Sequence, residues 1–256
     1  LQGITYMIRK DSTREILPNT KVSLLDPQGE VMQDFVTGND GKFLFRVYEN
    51  ENYELLGETD GFITKRQNYT TIGKSVPLES LKELVTNITL DTILVLDRKE
   101  RNKIFVLENI YFGYDSADIR KEAAIELDKL VVLLNDNTDL KIEMSSHTDS
   151  VASEAYNIQL SQRRAESTVN YLIKNGIDPT RLVAKGYGES KPIARNTNPD
   201  GSDNPTGRQR NRRTEFKILE IGALIKRTDE DDDEKFFRNE LKKNDNWSIQ
   251  FSFNTE

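Results

Sequence analysis

The sequence predicts a multidomain chain: an N-terminal all-β sandwich over residues 1–96 and a C-terminal α/β domain of βαβαβ type over residues 104–222. Three observations carry this. Before Asp97 the apolar residues alternate in short runs separated by Gly, Pro and Asx turns, the mark of half-buried strands. After Lys103 such runs are interleaved with two stretches of helical period, Ala124 to Leu134 and Ala155 to Ile173. Between the two regions lies a short charged linker, residues 97–103; its DRKERN (97–102) has no Gly, Ser or Pro and reads as stiff.

In the first domain the strand-like LQGITYMI (1–8) comes first. KVSLL (21–25) and VMQDFVT (31–37) follow, parted by DPQGE, a Pro/Gly turn. GNDGKFLFRVY (38–48) gives an Asn-Asp-Gly turn and then a strand with Phe43, Phe45 and Val47 on one face. ENENYELLGETDGF (49–62) adds a turn and a strand, and NITLDTILVL (87–96) the last apolar strand. Short strands at near-regular spacing predict a sandwich. The order KVSLL, NDGKFLF, YEL, DGF resembles the carboxypeptidase regulatory-like, or transthyretin-like, β-sandwich, and that resemblance implies a spacer or docking module without catalysis.

In the second domain KIFVLENIYF (103–112) is strand-like, and Ser116 or Asp118 can cap the helix after it. Ala124, Leu127, Val131 and Leu134 recur at helical spacing, and Asn135-Asp136-Asn137 ends the helix. LKIEMSSH (140–147) is the next strand; strand, helix and strand in this length predict two parallel strands joined by a right-handed crossover. Ser153 caps the second helix, whose apolar stripe is Ala155, Ile158, Ala165, Val169, Leu172 and Ile173, and Gly176 stops it. RLVAKGYGE (181–189) reads as a short strand and a Gly turn, and RTEFKILEI (213–221) as the strand that closes the sheet. The remainder, 223–256, is an acidic C-terminal extension: a solvated run from Asp229 to Glu234, then WSIQFSF (247–253), an alternating segment whose apolar side must dock on a sheet edge or a partner.

Composition removes several chemistries. There is no cysteine, so no disulfide framework and no thiolate metal site. A net charge of −7 opposes a nucleic-acid backbone binder, which needs a basic face. No apolar run has the length of a transmembrane helix, so no membrane span is expected in this chain. The one histidine, His147, sits at a strand-to-turn position and reads as a hydrogen-bonded structural residue; a Ser–His–Asp triad would have to use it. Asn196, Asn198, Asp200 and Gly201 match the start of a calcium loop, but position twelve is Gly207 where a bidentate Glu is needed. Carboxylates are numerous, yet none stand at a spacing that recommends a glycosidase pair. No cofactor and no metal is expected. Leu1 opens directly into a strand, so an export signal and an anchor are expected upstream, in a longer protein.

The chemistry-bearing stretch is SSHTDSVASEAYNIQLSQRR (145–164). Asp149 lies in a turn, Arg164 deep in the following helix, and Asn157 shares the face of Arg164, about 10 Å away along the axis. A carboxylate and a guanidinium aimed from different elements into one cleft suit a small zwitterion, whereas a plain Asp–Arg bridge orienting a loop is the competing reading. Of the two arginines, Arg163 reads as surface charge.

From about Ile104 to Leu219 the chain resembles the OmpA-like peptidoglycan-binding domain, on NIYFGYDSADI (109–119), the HTDS turn (147–150), YNIQLSQRRAESTVNYL (156–172), GIDPTRLVAKGYGESKPI (176–193) and GRQRNRR (207–213). The resemblance implies binding of the diaminopimelate side chain of cell-wall stem peptides, without catalysis. It puts the ligand-binding Asp on Asp149 and the ligand-binding Arg on Arg164, with Thr148, Asn157, Asp115 and Arg212 lining the same pocket. Ser146 stands where the family often has Gly, and Gly113 where it often has Asp. Together the two resemblances imply a periplasmic, outer-membrane-associated module that anchors an envelope assembly, for instance type IX secretion machinery, to peptidoglycan, with further envelope protein partners. A stator or lipoprotein-type anchor of another machine, and an enzyme acting on cell-wall peptide or glycan, are the alternatives.

Overall fold

A computed structural model of the chain describes residues 1–9, 11–74, 88–107, 110, 112, 116–222 and 249–250. The chain divides into two compact units, Leu1–Lys99 and Glu100–Glu256.

The first unit holds β1 (Gln2–Ile8), β2 (Arg14–Ile16), β3 (Lys21–Leu25), β4 (Val31–Val36), β5 (Lys42–Leu44), β6 (Asn52–Glu58), β7 (Lys65–Thr70) and β8 (Asp91–Leu96). They form two four-stranded sheets. In one, β1 pairs with β2 and β5 antiparallel and with β8 parallel; the other runs β4-β3-β6-β7. The alternation read from the sequence sends Val22, Leu24, Tyr53 and Leu55 from the second sheet, and Phe43, Phe45, Leu94 and Leu96 from the first, into one shared core. The strands β2 and β7 carry too little apolar alternation to stand out in the sequence, and both lie at the outside of their sheets.

The second unit runs β9 (Ile104–Leu107), α1 (Lys121–Asp136), β10 (Leu140–His147), α2 (Glu154–Lys174), a 3-10 turn at Pro179–Arg181, β11 (Leu182–Gly188), α3 (Pro205–Asn211), β12 (Thr214–Ile221) and β13 (Ile249–Gln250). The sheet order is β11-β10-β12-β9-β13. Both β9 and β10 are antiparallel to β12 and hence run the same way, as the strand–helix–strand reading requires, but β12 lies between them. Thus RTEFKILEI does not close the sheet at an edge; it fills the centre, which fits its near-continuous burial from Thr214 to Phe216. Backbone pairing places Ile249–Gln250 parallel to β9. The acidic run Asp229 to Glu234 lies outside the described residues.

Several local expectations shift. Neither Ser116 nor Asp118 caps α1: its N-cap is Arg120 with no side-chain bond, and Asp118 accepts a bond from Ser116 instead. The buried face of α1 is Ala123, Leu127, Leu130 and Leu134, one residue back from the expected stripe at two of four positions. Ser153 does cap α2, accepting from the Tyr156 amide, and Gly176 ends it with φ +95°. The inward face of α2, however, is Asn157, Leu160, Ser161, Arg164, Ala165, Thr168 and Leu172, while Ile158 is 41% exposed. Half of that face is polar, so an apolar stripe misplaces it. Finally, GYG (186–188) is not a turn: both glycines belong to β11 and lie against α2.

Candidate functional site

Three elements converge at the end of the sheet. Strand β10 ends in Ser146 and His147, the long helix α2 carries Arg164 at its midpoint, and α3 leads into β12 through Arg212 and Arg213. Ile110, Phe112, Ser146, His147, Arg164, Gln209, Arg212, Arg213 and Thr214 enclose a cavity of about 120 Å³.

Arg164 is buried to 9% exposure, as its position on the inward face of α2 dictates. Its Nε donates to the Ser116 carbonyl at 3.1 Å and its guanidinium lies 5.0 Å from the Phe112 ring centroid. A carbonyl and an aromatic face both help to orient a guanidinium. Arg163, next in sequence, is exposed.

Asp149 sits in the turn after β10. Its Oδ2 takes Arg212 Nη1 at 2.5 Å and lies 3.6 Å from Arg208 Nη1; its Oδ1 accepts the Val151 amide at 3.3 Å. Arg208 and Arg212 are four residues apart on α3, so one helix face delivers both cations to one carboxylate. Arg208 also grips Asp203 with two bonds of 2.7 Å. The helix is bolted in place by Asn211, fully buried, whose Oδ1 accepts from the Ile193 and Ala194 amides and whose Nδ2 donates to Ala194 and Asn196.

The structure thus brings Arg164 and Arg212 onto one cavity wall, with Asp149 joined to it through Arg212. Asn157 has another task. Its Nδ2 donates to the carbonyls of Asp149 and Ala152, at 3.1 and 3.2 Å, and to Glu189, so it clamps the turn that carries Asp149 rather than lining the cavity. Thr148 is buried, its Oγ1 meets no hydrogen-bond partner among the described residues, and it is likewise absent from the lining. Asp115 lies outside the described residues. Sequence reasoning missed His147, Gln209 and Arg213 as cavity residues. The last two belong to the GRQRNRR block, Gln209 within α3 and Arg213 just beyond its C-cap.

A buried charge network backs the cavity. His147 Nε2 lies 3.0 Å from Glu215 Oε1, and Arg213 Nε donates to Glu215 Oε2 at 3.1 Å. The His147 ring stacks on Tyr187, which donates to Glu143; Ser145 and Lys217 also bond that acid. Burial holds the His147 imidazole below its ordinary value, against the opposing pull of Glu215. Burial raises Glu215, but its bond with His147 and the Arg213 guanidinium more than reverse that and keep it low. The same holds for Glu143, where bonds from Tyr187, Lys217 and Ser145 outweigh burial. Burial and the Glu143 carboxylate push Tyr187 up to about 12.

A pH dependence follows. All three depressed groups bind fewer protons in the folded state, so each contribution is intact above the unfolded value and is lost as pH falls. His147 sets the first loss below its ordinary 6.5, and the two glutamates the second below 4.5. The resistance of the second unit to urea is expected to fall already below about pH 6.5 in the wild type, and His147→Gln is expected to delay that onset to the carboxylate range. Coincident onsets in the two proteins would contradict this assignment.

Among the described residues, no group of three or more His, Cys, Asp or Glu could hold a metal ion, and no helix is long and apolar enough to cross a membrane.

Residues 111–206 match the model of the OmpA family. This segment is similar to the OmpA family. The chain is 35% identical to Outer membrane protein A of Bordetella avium over 117 residues, which is 46% of this chain and 57% of that protein. It is 45% identical over 111 residues to a Gloeobacter violaceus protein named Photosystem I P700 chlorophyll a apoprotein A2, covering 43% of this chain but 13% of that protein. The chain therefore spans less than two-thirds of either relative. Among solved structures, the cell wall anchor of the T6SS from Pseudomonas aeruginosa aligns with 28% identity and a TM-score of 0.36, over 44% of this chain and 76% of that one.

Proposed function

We propose that the OmpA-like domain, residues 104–222, binds peptidoglycan through the diaminopimelate residue of the stem peptide and cleaves nothing. The observation that carries this reading is Arg164: a buried guanidinium on the wall of a small cavity, beside a second arginine, with an acid at its edge. The side-chain carboxylate of diaminopimelate enters against Arg164 and Arg212. Its ammonium meets Asp149 on Oδ1, since Oδ2 already serves the α3 arginines. Here Asp149 and Arg164 are the ligand-binding pair, Arg212 shares the carboxylate and fixes Asp149, and Asn157 holds the turn in register. Thr148 contributes its hydroxyl near the turn, and Asp115 remains part of the reading by its place in the NIYFGYDSADI block.

The match to the OmpA family and to proteins named Outer membrane protein A supports an envelope location, which we take to be the periplasm, beside the outer membrane. The first unit, with its two sheets and shared core, serves as a transthyretin-like spacer or docking module. Its combination with the OmpA-like domain is the sole support for type IX secretion machinery as the anchored assembly.

Sedimentation with purified sacculi tests the binding. The whole chain is expected to sediment, and a fragment ending at Lys99 is expected to stay in solution. Sedimentation of that fragment alone would move the site out of the OmpA-like domain. Muropeptides incubated with the protein should be recovered unchanged; new products would favour the enzyme alternative.

A further inference from the structure

One member of the cavity wall is an imidazole. His147 is the single histidine of the chain, 2% exposed, and lines the cavity. Glu215, ionised and held by Arg213, fixes the neutral ring with its proton on Nε2, which leaves the lone pair on Nδ1. That Nδ1 is buried and meets no hydrogen-bond partner among the described residues. Nothing in the binding reading uses it.

The charges around it decide what a proton there would do. Strand β10 itself contributes Glu143, and β11 contributes Lys185 and Tyr187. The segment after β11 brings Lys191, 3.9 Å from the Tyr187 ring centroid. From β12 and its approach come Arg213, Glu215 and Lys217; from α2 comes Arg164, and from α3 its C-cap residue Arg212. Arg213 and Lys191 oppose a charge on His147, and Glu215 favours it. Arg164, Arg212 and Arg213 share the cavity wall with the imidazole, Arg212 paired with Asp149 and Arg213 with Glu215, so an anion entering the cavity adds a favourable partner for a charge on His147.

We infer that His147 couples proton uptake to ligand binding: an anionic group in the cavity stabilises the imidazolium, and the imidazolium in return tightens the anion. The proton enters at Nδ1, from solvent, with no other bond made or broken. By reciprocity of linkage the two effects are one coupling measured from two sides. The identity of the ligand rests on the diaminopimelate reading; the coupling to an anion does not. Ligand affinity therefore rises on the acid side of neutrality, over a range where neither the carboxylates nor the amines of diaminopimelate titrate.

Because the chain has one histidine, a single imidazole Cε1–H signal in proton NMR reports this group. In the wild-type protein its titration midpoint is read alone, with saturating meso-diaminopimelate, and with inorganic phosphate. Both additions are expected to raise the midpoint. In parallel, calorimetry follows diaminopimelate affinity in the wild type and in His147→Gln. The wild type is expected to gain about 5-fold or more between about pH 7.5 and about pH 5.5, within the ceiling of about tenfold per unit for one proton, and the variant less than about twofold. A midpoint unmoved by either anion, or parallel affinity profiles, overturns the coupling. If diaminopimelate does not bind but phosphate raises the midpoint, the coupling stands and the diaminopimelate reading falls. The NMR arm needs only the wild-type protein, so it decides the matter even where His147→Gln fails to fold.

Discussion

Arg164→Ala is expected to weaken binding of a diaminopimelate stem peptide by about 30-fold or more, corresponding to a loss of about 2–5 kcal/mol when one partner of a partly buried charge-assisted contact is removed. The expectation follows from placement. Arg164 is oriented by a carbonyl and a ring, at 3.1 and 5.0 Å, and it faces a cavity of about 120 Å³. Arg164→Lys is expected to fail as well, because a point charge replaces a planar fork and the Ser116 carbonyl loses the Nε donor that aims the group. A stem peptide with lysine in place of diaminopimelate lacks the side-chain carboxylate and should bind far more weakly to the wild type. Asp149→Ala should lose affinity for two reasons at once: the ammonium loses its acceptor, and Arg212 and Arg208 lose the carboxylate that orients them. Calorimetry on the wild type, the three variants and the two peptides separates these effects. Equal affinity for both peptides, or wild-type affinity in a folded Arg164→Ala, would remove the diaminopimelate assignment.

Much of this arrangement is legible in the sequence, and the exceptions have a common cause. Strand alternation gave the core of the first unit, because period two leaves Phe43 and Phe45, or Leu94 and Leu96, no choice of face. The placement of Arg164 rather than Arg163 on the inward side of α2 also follows from helical period once the helix is seen. The period fails where polar side chains go inward. Ser161 and Thr168 bury on α2 because each has a local acceptor, the carbonyls of Ile158 and Arg164, and Ser161 Oγ also accepts from the Gly188 amide. Those partners come from the fold, so a search for an apolar stripe chose Ile158 and Val169 instead. The central position of β12 is invisible for a similar reason: order within a sheet is set by contacts far apart in sequence, and the strand after α3 carries no local mark of it. The pairing of Asp149 with Arg212 was beyond spacing too, since 63 residues separate them.

Gly186→Ala is expected to cost the second unit about 3 kcal/mol or more, combining the overpacking of a filled contact with the loss of buried hydrogen bonds. A methyl group at Gly186 would stand 2.3 Å from the Gln162 amide nitrogen and 2.6 Å from its Cα, against the backbone of α2 rather than the end of a mobile side chain. Ordinary contact needs about 1 Å more, and close-packed interiors do not yield that by small adjustments. The helix and strand are also stitched together at this point: the Gly186 amide donates to Gln162 Oε1 at 2.7 Å and the Gly188 amide to Ser161 Oγ at 2.8 Å. Prising α2 from β11 breaks both bonds. It also displaces Arg164, which follows Gln162 by two residues on the same helix, so affinity for diaminopimelate should fall along with stability. Ser161→Ala supplies the comparison, since it removes one hydroxyl and its bonds without adding a clash and should cost about 1–3 kcal/mol. Hydrogen exchange across α2 in increasing urea measures both variants locally, free of the first unit. If α2 in Gly186→Ala is protected as well as in the wild type, then the strand and helix do not meet at the distance that makes a glycine necessary there.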